Sequence, residues 1–114
     1  MNKECDKMSK LKDETLEMIA YRFKLLGEPM RLKLLQLLRE KELCVQELVD
    51  LTGAGQANIS KHLSLLTTNR ILGRRKEGLH VYYHISDPTV YDLCDVVCDS
   101  LEKNVKGLQE ALSS

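Results

Sequence analysis

Thr52-Gly53-Ala54-Gly55-Gln56-Ala57-Asn58-Ile59-Ser60-Lys61-His62-Leu63 is the stretch from which the other elements take their places. Its Gly-rich turn stops one short helix and releases another. Upstream, after Cys44, the residues Val45, Leu48, Val49 and Leu51 recur at helical spacing and are expected to point inward, up to the stop at Thr52-Gly53. Downstream, Gln56 to Asn69 reads as a helix whose apolar side is Ile59, Leu63, Leu65 and Leu66. The other side presents short polar groups: Gln56, Asn58, Ser60, Lys61 and His62.

Beyond that helix the period changes from helical to alternating. Val81, Tyr83 and Ile85 alternate with His80, Tyr82 and His84, which is strand spacing. Leu72-Gly73-Arg74-Arg75-Lys76 can pair with it across Glu77-Gly78-Leu79, a hairpin of roughly five residues a side. Asp87-Pro88 then starts a last helix, as N-cap and first helical position. Its stripe runs Val90, Leu93, Cys94, Val97, Leu101, Val105, Leu108, Leu112. That stripe is too long for one chain's own core and predicts a dimer.

Two more helices precede the Gly turn. Leu16, Ile19, Ala20, Phe23 and Leu26 mark the first, which Gly27 punctuates, and Pro29 opens the second. The second carries Leu32, Leu34, Leu35, Leu37 and Leu38, too many leucines for a narrow stripe, so it is buried on more than one side. Residues 1–10 are polar and read as a flexible arm, leaving residues 11–114 as one domain for DNA binding and dimerisation. With 114 residues, 43% hydrophobic, no Trp and a single Phe, the core must be built from Leu, Val and Ile. The fold class that follows is mainly α with a β-hairpin wing, a winged helix-turn-helix.

Formal charge is zero, so the total carries no hint of nucleic acid. Its distribution does. Residues 55–86 hold Lys61, Arg70, Arg74, Arg75 and Lys76 against Glu77, a net +4, whereas residues 87–114 carry a net −4. Local basicity is what matters, because the field that attracts a polyanion acts over a Debye length of ~10 Å. Gln and Asn can bond adenine edges in the major groove, and Ser and Lys can reach bases or phosphates. The DNA-binding set is therefore Gln56, Asn58, Ser60, Lys61 and His62 on the helix with Arg74, Arg75, Lys76 and His80 on the wing, the wing lying against backbone or minor groove. His62 carries two readings, a bond to the DNA backbone or a part in local packing. The partner implied is a double-stranded operator in the form of an imperfect inverted repeat, one half-site per subunit.

Three stretches besides Gln56-Ala57-Asn58-Ile59-Ser60-Lys61-His62-Leu63 carry a family likeness. They are Leu26-Gly27-Glu28-Pro29-Met30-Arg31-Leu32, Glu42-Leu43-Cys44-Val45-Gln46-Glu47-Leu48 and Glu77-Gly78-Leu79-His80-Val81-Tyr82-Tyr83. In order and spacing the chain resembles the ArsR/SmtB family of small dimeric winged helix-turn-helix metalloregulatory repressors, over roughly residues 15–105. The resemblance implies four helices, a hairpin and a fifth helix, a homodimer through the first and last helices, and derepression when an inducer binds. It implies two alternative sensor sites, and this chain departs from both. One uses Cys-Val-Cys at the start of the third helix, where this sequence has Cys44-Val45-Gln46. The other holds Zn²⁺ along the last helix, where Asp87 matches but Thr89, Ser100 and Lys103 do not suit the ion.

Four cysteines remain to be accounted for. Cys94 and Cys98 are four apart and share a helix face. Two thiolates on one face suit a soft ion, and a third would complete a trigonal pyramid around As(III) or Sb(III). Cys5 on the arm is the natural third ligand. Cys44, at a helix N-terminus that favours thiolate, is the alternative. The inducer is then As(III), Sb(III) or a soft divalent metal. Two other readings stay open: a thiol-redox or persulfide switch, and plain packing of small apolar side chains, which leaves a metal-independent repressor. DNA binding itself needs no cofactor. The opening residues are charged and no apolar run approaches the roughly 20 residues that span a bilayer, so a cytoplasmic, non-membrane protein with reduced thiols is expected. Catalysis is not expected: His62, His80 and His84 sit on a polar helix and a hairpin, in no pattern with a Ser or Cys that marks a nucleophile. A winged helix serving only protein contacts would lack the basic wing.

Overall fold

The computed structural model describes residues 7–113. In chain order the elements are α1 (Asp13–Leu26), α2 (Pro29–Leu37), β1 (Leu43–Cys44), α3 (Val45–Thr52), α4 (Gln56–Thr68), β2 (Leu72–Glu77), β3 (His80–Ile85) and α5 (Thr89–Ser113). Residues 7–9 are also helical. Most of the expected arm, Cys5 included, lies outside the described residues. The three strands form one antiparallel sheet in the order β1-β3-β2. This is a winged helix-turn-helix, and no helix among the described residues is long and apolar enough to cross a membrane.

Local chemistry accounts for the helix ends. Glu28 caps α2 by accepting the Arg31 N–H at 2.8 Å, and Pro29 stands where its missing N–H costs nothing. Gly53 closes α3 in the left-handed region at φ 73°, a conformation that costs a β-carbon-bearing residue more than glycine. Asp87 takes the Thr89 N–H at 3.1 Å and the Thr89 hydroxyl, and also pairs with Arg22 of α1 at 3.2 Å. One carboxylate thus starts α5 and ties it to α1.

The Thr89 hydroxyl bond, with Arg22 assisting, holds the Asp87 carboxyl below its ordinary value of 3.8. A carboxylate with a depressed pKa stabilises fully above its ordinary value and ceases to as pH falls through the folded one. Asp87→Ala is therefore expected to cost about 1 kcal/mol at neutral pH, the usual worth of an N-cap. The gap to wild type should close in acid, read as Tm against pH.

Leu34, Leu48, Ile59, Leu63, Leu66 and Ile71 are completely buried, and α2, α3, α4 and the base of the sheet enclose them. Five residues expected on inward faces are not in it: Leu51, Phe23, Leu32 and Leu16 are 56%, 53%, 40% and 37% exposed, and Ala20 is exposed as well. Helix α1 contributes Leu25 and Leu26 instead, because only its last turn enters the apolar core, while Tyr21 and Arg22 reach the body through polar contacts with Asn69 and Asp87. On α5, Val90 is buried and Leu93 packs against the core, but from Val97 onward the stripe faces outward.

Candidate nucleic-acid interface

The turn at Gly53-Ala54-Gly55 aims α4 away from α3, with Ile59, Leu63 and Leu66 holding its inner side. On its free side Gln56, Asn58 and Lys61 are exposed and Ser60 is half-buried. Among the described residues none of these four side chains has a hydrogen-bonding partner, so their donors and acceptors are open to a base edge.

His62 is placed differently. Its side chain is only 13% exposed, and Nδ1 stands 3.3 Å from Arg31 Nη1. The ring faces the α1–α2 corner.

Strand pairing divides the basic wing. Leu72 pairs with Ile85, Arg74 with Tyr83 and Lys76 with Val81, so these side chains share the face that Leu72 and Tyr83 bury. There Arg74 lines a polar cleft of ≈ 310 Å³ with Ser64, Thr67, Thr68 and Tyr83, between α4 and the sheet. Arg75 is on the opposite face, with Glu77, His80, Tyr82 and His84. Its guanidinium donates to Glu42 at 3.1 Å and to Glu77 at 2.7 Å and lies over the Tyr82 ring, 5.1 Å from the centroid. That bond from Arg75 lowers the Glu77 pKa, so both partners stay charged. Arg74 and Arg75 are adjacent in sequence, yet one is open to an anion and the other already has two. The sequence reading did not single out Ser64 and Thr68, which recur at helical spacing from Lys61 and Ser60.

The cysteines lie elsewhere. Cys94, half-buried, and Cys98, exposed, both line an apolar groove of ≈ 660 Å³ with Phe23, Leu26, Leu32 and Leu101. Cys98 Sγ is 3.8 Å from Glu102 Oε1, and the charge of Glu102, with burial and Asp99 adding to it, pushes the thiol pKa up. Cys44 is at the start of α3, where its own N–H donates to Glu47 at 3.1 Å. Among the described residues no three His, Cys, Asp or Glu side chains converge as a metal would need. Cys94 and Cys98 thus have no third ligand among them, and the Asp87 carboxylate is committed to Thr89 and Arg22.

A family profile described as "Bacterial regulatory protein, arsR family" matches residues 28–72. The chain is 32% identical over 92 residues to a transcriptional repressor SmtB homolog of Synechocystis, covering 81% of this chain and 69% of that one. Among solved structures it resembles the homodimeric winged helix-turn-helix DNA-binding domain Mb0332 from Mycobacterium bovis, a possible ArsR-family regulator. That likeness has a TM-score of 0.71 at 28% identity, over 82% of this chain and 87% of the other. The AntR antimony-specific transcriptional repressor gives a TM-score of 0.72 at 28% identity, covering 85% and 88%.

Proposed function

Since the chain belongs to the ArsR/SmtB family of winged helix-turn-helix transcriptional repressors, we propose that it holds its operator as a homodimer and releases it when Cys94 and Cys98 bind As(III) or Sb(III). It is a regulator, not an enzyme. One observation carries the proposal: both thiols open into the groove that the unpartnered stripe of α5 forms with Phe23 of α1. A ligand bound there acts on the uncovered apolar surface that this reading assigns to a second copy, and the relative from M. bovis is homodimeric. A shift of α5 would then change the spacing of the two recognition helices.

Thiol chemistry favours one inducer class. A redox or persulfide switch needs a thiolate to attack, and the charge of Glu102 beside Cys98 raises that thiol's pKa, which disfavours its thiolate. A soft divalent cation must expel both protons into solution. Arsenite is neutral, and its condensation, As(OH)₃ + 2 RSH → (RS)₂AsOH + 2 H₂O, releases only water. The thiol hydrogens leave with the hydroxides, so a raised thiol pKa does not oppose it. The third position passes to a third sulfur if Cys5, or a cysteine of the second copy, reaches it. The antimony-specific relative supports the same class of ligand.

The test is operator release from the purified protein, titrated with arsenite, antimonite, Cd(II), Zn(II) and a persulfide donor. Arsenite and antimonite should act at the lowest concentration. Release by the persulfide donor alone would establish the redox reading instead.

On the DNA side, Gln56, Asn58, Ser60 and Lys61 read the major groove. The Arg74 cleft takes a phosphate, with Lys76 beside it and His80 at the tip of the wing. Arg75 must exchange Glu42 and Glu77 for any phosphate it meets. Arg74→Ala should therefore weaken binding to all DNA sequences and lower the salt slope by about one, while Arg75→Ala changes it less. Glu77→Gln should tighten non-specific binding, read by titration at two salt concentrations. Equal losses for Arg74→Ala and Arg75→Ala would show that the carboxylates do not occupy Arg75.

A further inference from the structure

His62 lies within the helix that reads DNA, but its surroundings are not those of a reading residue. Ile59, His62, Leu63 and Leu66 follow the i, i+3, i+4, i+7 spacing of one helix stripe, and the other three are completely buried. His62 is thus on the inner edge of α4, 13% exposed, against the junction of α1 and α2.

We propose that His62 is a positioning residue, which with Arg31 and Glu28 locks the recognition helix onto the α1–α2 corner and makes no contact with DNA. This rests on the reading of α4 as the recognition helix. Arg31 is the centre of the lock. Its Nε donates to the Leu25 carbonyl and its Nη2 to the Lys24 carbonyl at 3.4 Å, both in the last turn of α1, where the Lys24 oxygen also takes the Gly27 N–H at 3.3 Å. Its Nη1 donates to His62 Nδ1 at 3.3 Å. Since a guanidinium only donates, Nδ1 must accept, which puts the ring N–H on Nε2. Nε2 faces Glu28 Oε2 at 3.9 Å, the same oxygen that accepts the Arg31 N–H at 2.8 Å to cap α2.

One guanidinium therefore binds the end of α1 and the middle of α4, and one carboxylate binds the start of α2 beside the same imidazole. Leu26, Gly27 and Leu32, which flank Glu28 and Arg31 in the chain, line the cysteine groove on the other side of the corner. The corner is the shared wall between that groove and the recognition helix.

The experiment compares His62→Ala, His62→Asn, Arg31→Gln and the double variant His62→Ala/Arg31→Gln, with Asn58→Ala as the control for a reading residue. Readouts are operator affinity, non-specific affinity, salt slope, base preference and Tm. His62→Ala should lower operator affinity about tenfold, the usual worth of a hydrogen bond to a charged group, with non-specific affinity, salt slope and base preference unchanged. His62→Asn, whose Oδ1 can accept from Arg31 in place of Nδ1, should restore most of it. The double variant should lose no more than its worse single, since both remove one interaction.

A salt slope reduced by one, or relaxed preference at one base pair, would show His62 on DNA and overturn the proposal. So would additive losses, an Asn variant as weak as the Ala one, or unchanged affinity in His62→Ala. A fall in Tm that accounts for the whole affinity loss would reduce His62 to general packing. Asn58→Ala without any effect on base preference would refute the recognition-helix assignment and, with it, this role.

Discussion

Replacing Leu101 and Val105 of α5 together by Asp yields a folded monomer that no longer holds its operator. Both side chains are more than half exposed in the single chain, 57% and 55%, so the substitution removes little from the protomer's own core. The circular dichroism of the variant should stay that of the parent. What it removes is the stripe that continues through Leu108 and Leu112 and, with Phe23 of α1, forms an apolar surface with no cover in one chain. Four new carboxylates in the dimer would face one another there, on a helix that carries five acidic residues against two lysines. Two linked half-site contacts gain from the effective concentration each gives the other, about 10²–10⁴-fold, and a monomer forfeits that factor. Operator affinity should fall by about that much while binding to a single half-site persists. Sedimentation and a one-half-site titration check it. A dimer of unchanged stability would place the interface elsewhere.

The second large effect is a loss of response with binding retained. Cys94→Ser/Cys98→Ser should hold the operator as wild type does, because neither thiol lies near α4 or the wing. It should ignore arsenite and antimonite. Coupling between inducer and operator sites is commonly about 1–3 kcal/mol, so wild type should lose about 5–150-fold in operator affinity on loading, and the double variant none. Cys44→Ser should keep most of the response if Cys5 or a second copy supplies the third sulfur. A double variant that responds like wild type would leave both cysteines as packing residues in the α5 stripe.

Much of the architecture was legible from local pattern alone, because helix stops and strand alternation depend on residues within a few positions of one another. Pro29, Gly53 and Asp87 each act on their own turn of backbone; Pro29 and Gly53 start and end their helices where expected, and α5 begins at Thr89, one residue after the expected Pro88. The hairpin emerged from its period of two, with six paired residues a side instead of about five and a tight turn at Gly78, φ 61°. Strand β1 was not foreseen. Two residues, Leu43 and Cys44, have no period of their own, and they become a strand only because Tyr83 and Tyr82 offer them partners about forty positions away.

The candidate site divides along the same line. The inner stripe of α4 and the pooled charge of residues 55–86 can be read from spacing and composition. That Arg74 opens onto a cleft while Arg75 is held by Glu42, 33 positions earlier, cannot. Nor can the bond from Arg31 to His62, 31 positions apart: spacing set His62 among the outer polar groups, with local packing only as its second reading. Phe23 and Leu16 were expected in the core on hydrophobicity, yet the fold leaves them half open. Periodicity reports that a face is apolar, not what covers it. Local backbone preference and helix or strand period act through neighbours in the chain, and these settled the elements and their order. The partners of charged groups and the cover of apolar faces depend on which distant segments the packed core brings together, and tertiary structure alone decided those.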